Sequence, residues 1–115
     1  MNIVYGIKNC STVKKALDWL DQHGIAYQFH DYKKSGIDPA RLASWCEEMG
    51  WERVLNRTGT SFRNLPEATR MDLDQAKAIR LMQAQPSMIK RPLLDLGSRR
   101  LLGFSAAMYE EILGG

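Results

Sequence analysis

The sequence predicts an α/β fold, a mixed four-stranded sheet with helices packed on it. Three observations predict it: an apolar run followed at once by a helical pattern, a second alternating run after a glycine stop, and a glycine-first hairpin near the end. Ile3 to Ile7 is β-branched and aromatic, bounded by Gly6 and the polar Lys8-Asn9, and reads as a buried first strand. Val13, Ala16, Leu17 and Leu20 then recur at helical spacing, with Ser11 or Thr12 as the expected cap and Gly24 as the left-handed stop. Ile25 to Tyr32 alternates and gives a second strand. Asp38-Pro39 announces another helix, with Leu42, Trp45, Cys46 and Met49 on one face and a stop at Gly50.

Between Trp51 and Pro66 the periodicity breaks down. Asn56-Arg57-Thr58-Gly59-Thr60 has the composition of a functional loop, followed by one helical turn ending before Pro66. A longer helix follows, with Asp72 as expected cap, Leu73, Ala76, Ile79 and Met82 as its face, and Pro86 closing it. Leu93 to Leu96 and Arg99 to Phe104 flank Gly97-Ser98, the composition of a two-residue hairpin turn. Ser105 caps a last helix whose Ala106, Tyr109, Ile112 and Leu113 are expected to pack back on the sheet. The order is β-α-β-α, an inserted helical segment, then β-β-α. With a right-handed first crossover, that is the thioredoxin plan. The expected organisation is a single thioredoxin-like domain over 1–115, with the helical insertion at about 51–86.

The 115 residues carry 44% hydrophobic residues, enough for one buried core, and a formal charge of +3 with acidic residues interspersed. Nucleic acid is not an expected partner. No stretch approaches the roughly 18 apolar residues of a spanning helix, and the start lacks the pattern of a secretory leader, so a cytoplasmic protein without membrane partners is expected. Two cysteines, Cys10 and Cys46, are too few for a disulfide scaffold.

Cys10 stands where the first strand meets the first helix. Unpaired N–H groups and the positive helix end favour a thiolate there, and Lys8, Lys14 and Lys15 are placed to push the same way. The motif is Cys10-Ser11-Thr12-Val13, so valine occupies the resolving position of a C-x-x-C pair and resolution is expected from an external thiol. Cys46, on an apolar helix face, reads as core. His23 and His30 lack partners at metal-ligand spacing and are expected in surface or capping roles, with no metal site. Trp19, Trp45 and Trp51 are expected to pack on or cover the core, and Glu47-Glu48 and Glu110-Glu111 to be solvated.

Tyr5-Gly6-Ile7-Lys8-Asn9-Cys10, the segment Gly50 to Thr60, and Ile89-Lys90-Arg91-Pro92-Leu93 together resemble the ArsC-related family, across nearly the whole chain. That family includes glutaredoxin-coupled arsenate reductases, Spx-type regulators of RNA polymerase and YffB-type proteins. The resemblance implies Cys10 as nucleophile, Arg57 and Arg91 as oxyanion-binding arginines, and a cis bond at Arg91-Pro92. Arsenate reductases carry a third arginine where this sequence has Gly103, and Spx proteins commonly keep C-x-x-C, so the YffB-type branch fits best. The implied function is a glutathione-dependent thiol/disulfide reductase with catalytic Cys10, and Lys8, Asn9, Thr12, Arg57, Arg91 and Pro92 binding glutathione or an anion. Glutathione enters as co-substrate rather than bound cofactor, with glutaredoxin or a thiol/disulfide protein as further partner. The alternatives are an arsenate reductase and an Spx-like polymerase-binding regulator.

Overall fold

The computed structural model describes residues 2–114, which contain β1 (Ile3–Gly6), α1 (Ser11–Gln22), β2 (Gln28–Asp31), α2 (Tyr32–Ser35), α3 (Pro39–Met49), α4 (Trp51–Val54), α5 (Thr60–Arg63), α6 (Glu67–Arg70), α7 (Gln75–Ala84), a 3-10 turn (Pro86–Met88), β3 (Leu93–Asp95), β4 (Arg100–Leu102) and α8 (Ala106–Leu113). The chain forms two compact units, Met1–Tyr32 with Arg91–Gly115, and Lys33–Lys90.

The first unit holds a four-stranded sheet in the order β2-β1-β3-β4, with β1 parallel to β2 and both later pairings antiparallel. With α1 and α8 this is the thioredoxin-like fold. Because side chains alternate across a strand, the registers Val4↔Phe29, Val4↔Leu94 and Leu94↔Leu101 collect one apolar face. That face packs against Ala16, Trp19 and Leu20 of α1 and Tyr109 of α8. Tyr5, His30 and Leu93 share the opposite face, where the Tyr5 ring lies 4.8 Å from His30 and 6.1 Å from Tyr32. His30 therefore packs on the Tyr5 end of the cysteine-bearing segment, closer to the motif than the sequence indicated. His23 meets the capping expectation: its Nδ1 lies 2.8 Å from the Trp19 carbonyl and its ring stacks on the indole at 3.8 Å.

Local chemistry explains the element ends. Gly24 has φ +66, and the pair Ile25 N–H to Leu20 C=O and Gly24 N–H to Asp21 C=O closes α1 in a Schellman motif. The hairpin turns through Gly97 at φ +90, with the Leu96 N–H on the Arg99 carbonyl at 2.9 Å. Its neighbour Asp95, only 8% exposed, accepts from the Gly97 N–H at 2.8 Å and pairs with Arg100 at 3.5 Å. Ser105 caps α8 by accepting the Met108 N–H at 3.0 Å.

In the second unit α3, α4 and α7 pack on one another, burying Leu42, Trp45, Cys46, Val54, Ala78 and Met82. Asp38 caps α3 through the Arg41 N–H, and α3 ends at Gly50 with φ +89. Leu55 and Ile89 form an antiparallel bridge, flanked by Asn56 N–H to Met88 C=O and Lys90 N–H to Val54 C=O.

Several expectations shift. β2 spans Gln28–Asp31 rather than starting at Ile25. α7 starts after Asp74, whose carboxylate accepts the Lys77 N–H at 2.8 Å, while Asp72 sits at φ +53 outside the helix. That two-residue shift turns Ala78 inward and leaves Ala76 exposed. In α8, Met108 rather than Ala106 joins the core. The single turns α2, α4 and α6 are too short to carry a readable period.

Candidate active site

The geometry begins with a missing Cβ. Gly6 ends β1, and a Cβ there would lie 2.8 Å from Cγ2 of Val13, so the glycine lets the first turn of α1 seat directly on the strand end. Val13 is 1% exposed in that contact. The chain leaves the strand through Ile7, Lys8 and Asn9, and Cys10 becomes the N-cap of α1 in extended conformation (φ −120°, ψ 121°). Its carbonyl accepts the Lys14 N–H at 3.0 Å, the first bond of the helix. The expected caps Ser11 and Thr12 are instead the first two helical residues.

As a neutral thiol Cys10 makes no capping bond, since sulfur is a weak acceptor. As a thiolate it gains. Burial pushes the Cys10 thiol up, but the Val13 N–H, the Arg91 side chain, the Thr12 N–H and the Arg91 charge outweigh it, and the net shift is down. The charge that acts is Arg91, contributed by the segment entering β3, rather than the exposed Lys8, Lys14 or Lys15. Arg91 and Cys10 approach because β3 pairs antiparallel to β1 with Tyr5 opposite Leu93, which places residue 91 beside the end of β1. The Arg91-Pro92 peptide is cis, and the Pro92 carbonyl accepts the Gly103 N–H at 2.8 Å.

Of the residues singled out in the sequence, Lys8, Asn9, Cys10, Thr12, Arg91 and Pro92 lie in the first unit, Lys8 and Asn9 exposed and Pro92 buried. Arg57 belongs to the second unit. Its guanidinium sits 5.8 Å from the centroid of the Trp51 ring, a cation–π arrangement, on a cavity of about 630 Å³ lined also by Phe62, Arg70 and Met71. The Asn56 side chain holds the loop beside it, accepting from the Thr58 N–H at 3.3 Å and the Thr58 hydroxyl at 2.9 Å. Trp51 therefore has a second role that its composition alone did not signal.

Cys46 is 2% exposed, and burial, assisted by the Glu47 charge, pushes its thiol up to about 11. The two thiols thus stand in opposite environments, one prepared to ionise and one kept neutral. Gly103, where a third arginine would stand, has φ +75, a conformation that strains any residue with a Cβ. Among the described residues no helix is long and apolar enough to cross a membrane, and no three His, Cys, Asp or Glu residues gather to hold a metal ion.

The unpaired N–H groups expected at the helix start are those of Val13 and Thr12. One functional signal escaped the sequence: Gly6 as the residue that lets them close in, for which a glycine-ended strand before an N-cap cysteine is the pattern.

Solved structures and curated proteins are similar to this chain. The structure of a YffB protein is 59% identical, covers 98% of this chain and 99% of its own, and superposes with a TM-score of 0.95. An arsenate reductase (ArsC) related protein from Brucella melitensis is 52% identical over 96% of this chain and 92% of its own, with a TM-score of 0.79. An uncharacterized protein of Haemophilus influenzae is 40% identical over 110 residues, 96% of each chain. Further off, the global transcriptional regulator Spx of Streptococcus mutans is 25% identical over 103 residues, covering 84% of this chain and 72% of its own. The model of the ArsC family matches residues 5–112, a stretch that runs from β1 through Cys10 and Arg91 into α8, and the chain belongs to that family.

Proposed function

We propose that this protein is a glutathione-dependent thiol/disulfide reductase acting through Cys10 alone. The observation that carries the reading is the Cys10 thiol, lowered by two helix N–H groups and Arg91 although burial opposes it. In the reaction the Cys10 thiolate attacks the glutathione sulfur of a mixed disulfide. The S–S bond breaks, the substrate thiolate leaves, and Cys10 carries the glutathione. A free glutathione thiolate then attacks that sulfur, releasing Cys10 as thiolate and glutathione disulfide, so that the mixed disulfide is reduced to the substrate thiol as one free glutathione thiol is oxidised. Val13 gives Cys10 no partner at the C-x-x-C position, which is why the second thiol comes from outside.

In this reading Arg91 holds the thiolate and orients the incoming sulfur. Lys8, Asn9 and Thr12 present polar groups to glutathione and Pro92 forms the wall beside it, while Arg57, in the second unit, is an anion-binding candidate carried by the family resemblance alone. Glutaredoxin or a protein thiol is the partner class, within the cytoplasm.

A second reading, arsenate reduction, is favoured by the 52% identity to the arsenate reductase related protein. The glycine at position 103 speaks against it, because the third oxyanion-binding arginine implied by the resemblance is missing. The Spx relationship favours a third, docking on RNA polymerase.

The test is incubation of reduced protein with glutathione disulfide, followed by mass spectrometry and by turnover assays with a glutathionylated peptide and with arsenate. The expected result is one glutathione on Cys10, peptide turnover and no arsenate turnover, all lost in Cys10→Ser. Modification of Cys46 alone, or a polymerase complex indifferent to Cys10→Ser with no turnover, overturns the reading.

A further inference from the structure

The charge order along α1 runs against what stabilises a helix. Acidic side chains favour the N-terminal end and basic ones the C-terminal end. α1 has no acidic residue in its first turn and no basic residue in its last. Instead Lys14 and Lys15 stand in its N-terminal half, and Asp18 and Asp21 follow. Residues 1–17 contain no aspartate or glutamate at all. Lys8, Lys14 and Lys15 are exposed, and none makes a hydrogen bond or ion pair through its ammonium among the described residues. Lys14 is one helical turn beyond Cys10, on the same side of the helix. Three uncompensated ammonium groups therefore lie within five residues of a cysteine that Arg91 already faces, Lys14 on its side of the helix, in an arrangement that costs the helix a little stability.

We propose that Lys14 and Lys15, together with Lys8, are specificity determinants that make Cys10 select anionic electrophiles, above all disulfides of net negative charge such as glutathione disulfide. The assignment of disulfides as substrate class rests on the reductase reading above. The effect is on encounter rather than on the thiol itself. Glutathione disulfide carries a net charge of about −2 at neutral pH. For two ammonium groups at a separation on the order of 10 Å from the reacting sulfur, screened Coulomb attraction would raise its rate about sevenfold at 0.01 M salt and about twofold at 0.15 M. A singly charged reagent gains about threefold at the lower salt by the same arithmetic.

The experiment compares the wild-type protein with Lys14→Gln/Lys15→Gln, both substitutions exposed. Two rate ratios are measured at low and moderate salt, iodoacetate over iodoacetamide, and glutathione disulfide over the cationic disulfide cystamine, with the adduct on Cys10 located by mass spectrometry. Each ratio cancels any change in thiolate fraction. Expected is a fall of about threefold in the first ratio and more in the second at low salt, shrinking as salt rises. Ratios equal in both proteins overturn the selectivity, and leave the reductase reading standing if glutathione still adds to Cys10. Lysine-dependent iodoacetate reactivity with no glutathione adduct overturns the reductase reading, and the disulfide assignment falls with it.

Discussion

Replacing Arg91 by glutamine tests the central electrostatic claim. Arg91 acts on the Cys10 thiolate twice, by a side-chain hydrogen bond and by its charge, while the Val13 and Thr12 amides act from the helix. A hydrogen bond to an ionised group contributes about 1.5–3 kcal/mol. Because the sulfur is partly exposed, solvent screening puts Arg91 at the lower end of that range. Arg91→Gln is therefore expected to raise the midpoint of Cys10 ionisation and to cut the thiolate fraction about tenfold at pH values below it. The Val13 and Thr12 amides remain to oppose burial in that variant. Arg91→Lys keeps the charge and loses the planar fork, and should fall between. The assay is the rate of iodoacetamide alkylation from acid to alkaline pH, with Cys46→Val as background so that one thiol is read. An unchanged midpoint in Arg91→Gln refutes the role of Arg91.

Gly6→Ala places a methyl 2.8 Å from Val13 Cγ2, inside contact distance of a side chain with no room to yield, so it should cost about 1–3 kcal/mol in chemical denaturation and also slow Cys10 alkylation. A stability loss without any change in alkylation would separate the strand contact from the thiolate. Cys46 gives a pH dependence of opposite sign to an activated thiol. Its folded pKa is raised to about 11, so its contribution to stability is complete below about pH 8.5 and is lost as pH climbs from there toward about 11. Relative to Cys46→Val, the wild-type chain should thus lose about 1–3 kcal/mol over that window, and a flat difference in urea midpoints across it would contradict the assignment.

What the sequence made legible was chemistry that acts over a few residues. Gly24, Asp38, Gly97 and Ser105 are each sufficient for their local geometry, and each stands where its residue type predicts. Asp72 misled because two aspartates lie two residues apart and either side chain fits a cap. The choice of Asp74 is made by the inward turn of Ala78 and Met82, a packing preference that no local rule carries. At the candidate site the same division holds. Cys10 at a strand-to-helix junction was readable, and so was the direction of its pKa shift. The helix N–H groups were readable as a cause, but the charge was assigned to neighbouring lysines, because Arg91 is 81 positions away in the chain and arrives only through the β1–β3 register. The Arg57–Trp51 stack stayed hidden for a different reason: a loop arginine six residues from a tryptophan has no fixed relation to it until α4 is formed.

The absence of a second cysteine in the motif acquires a structural meaning once Val13 is seen in place. Position 13 is nearly fully buried, wedged against the bare Cα of Gly6, and its N–H is the strongest of the groups that lower the Cys10 thiol. The side chain fixes the turn, and the turn aims the amide. A cysteine there would be smaller than valine and would leave the contact with Gly6 underfilled, loosening the helix start that stabilises the thiolate. In the proposed reductase cycle the second thiol comes from outside, and the proposed role of Lys8, Lys14 and Lys15 is the matching one, to favour a small anionic thiol or disulfide.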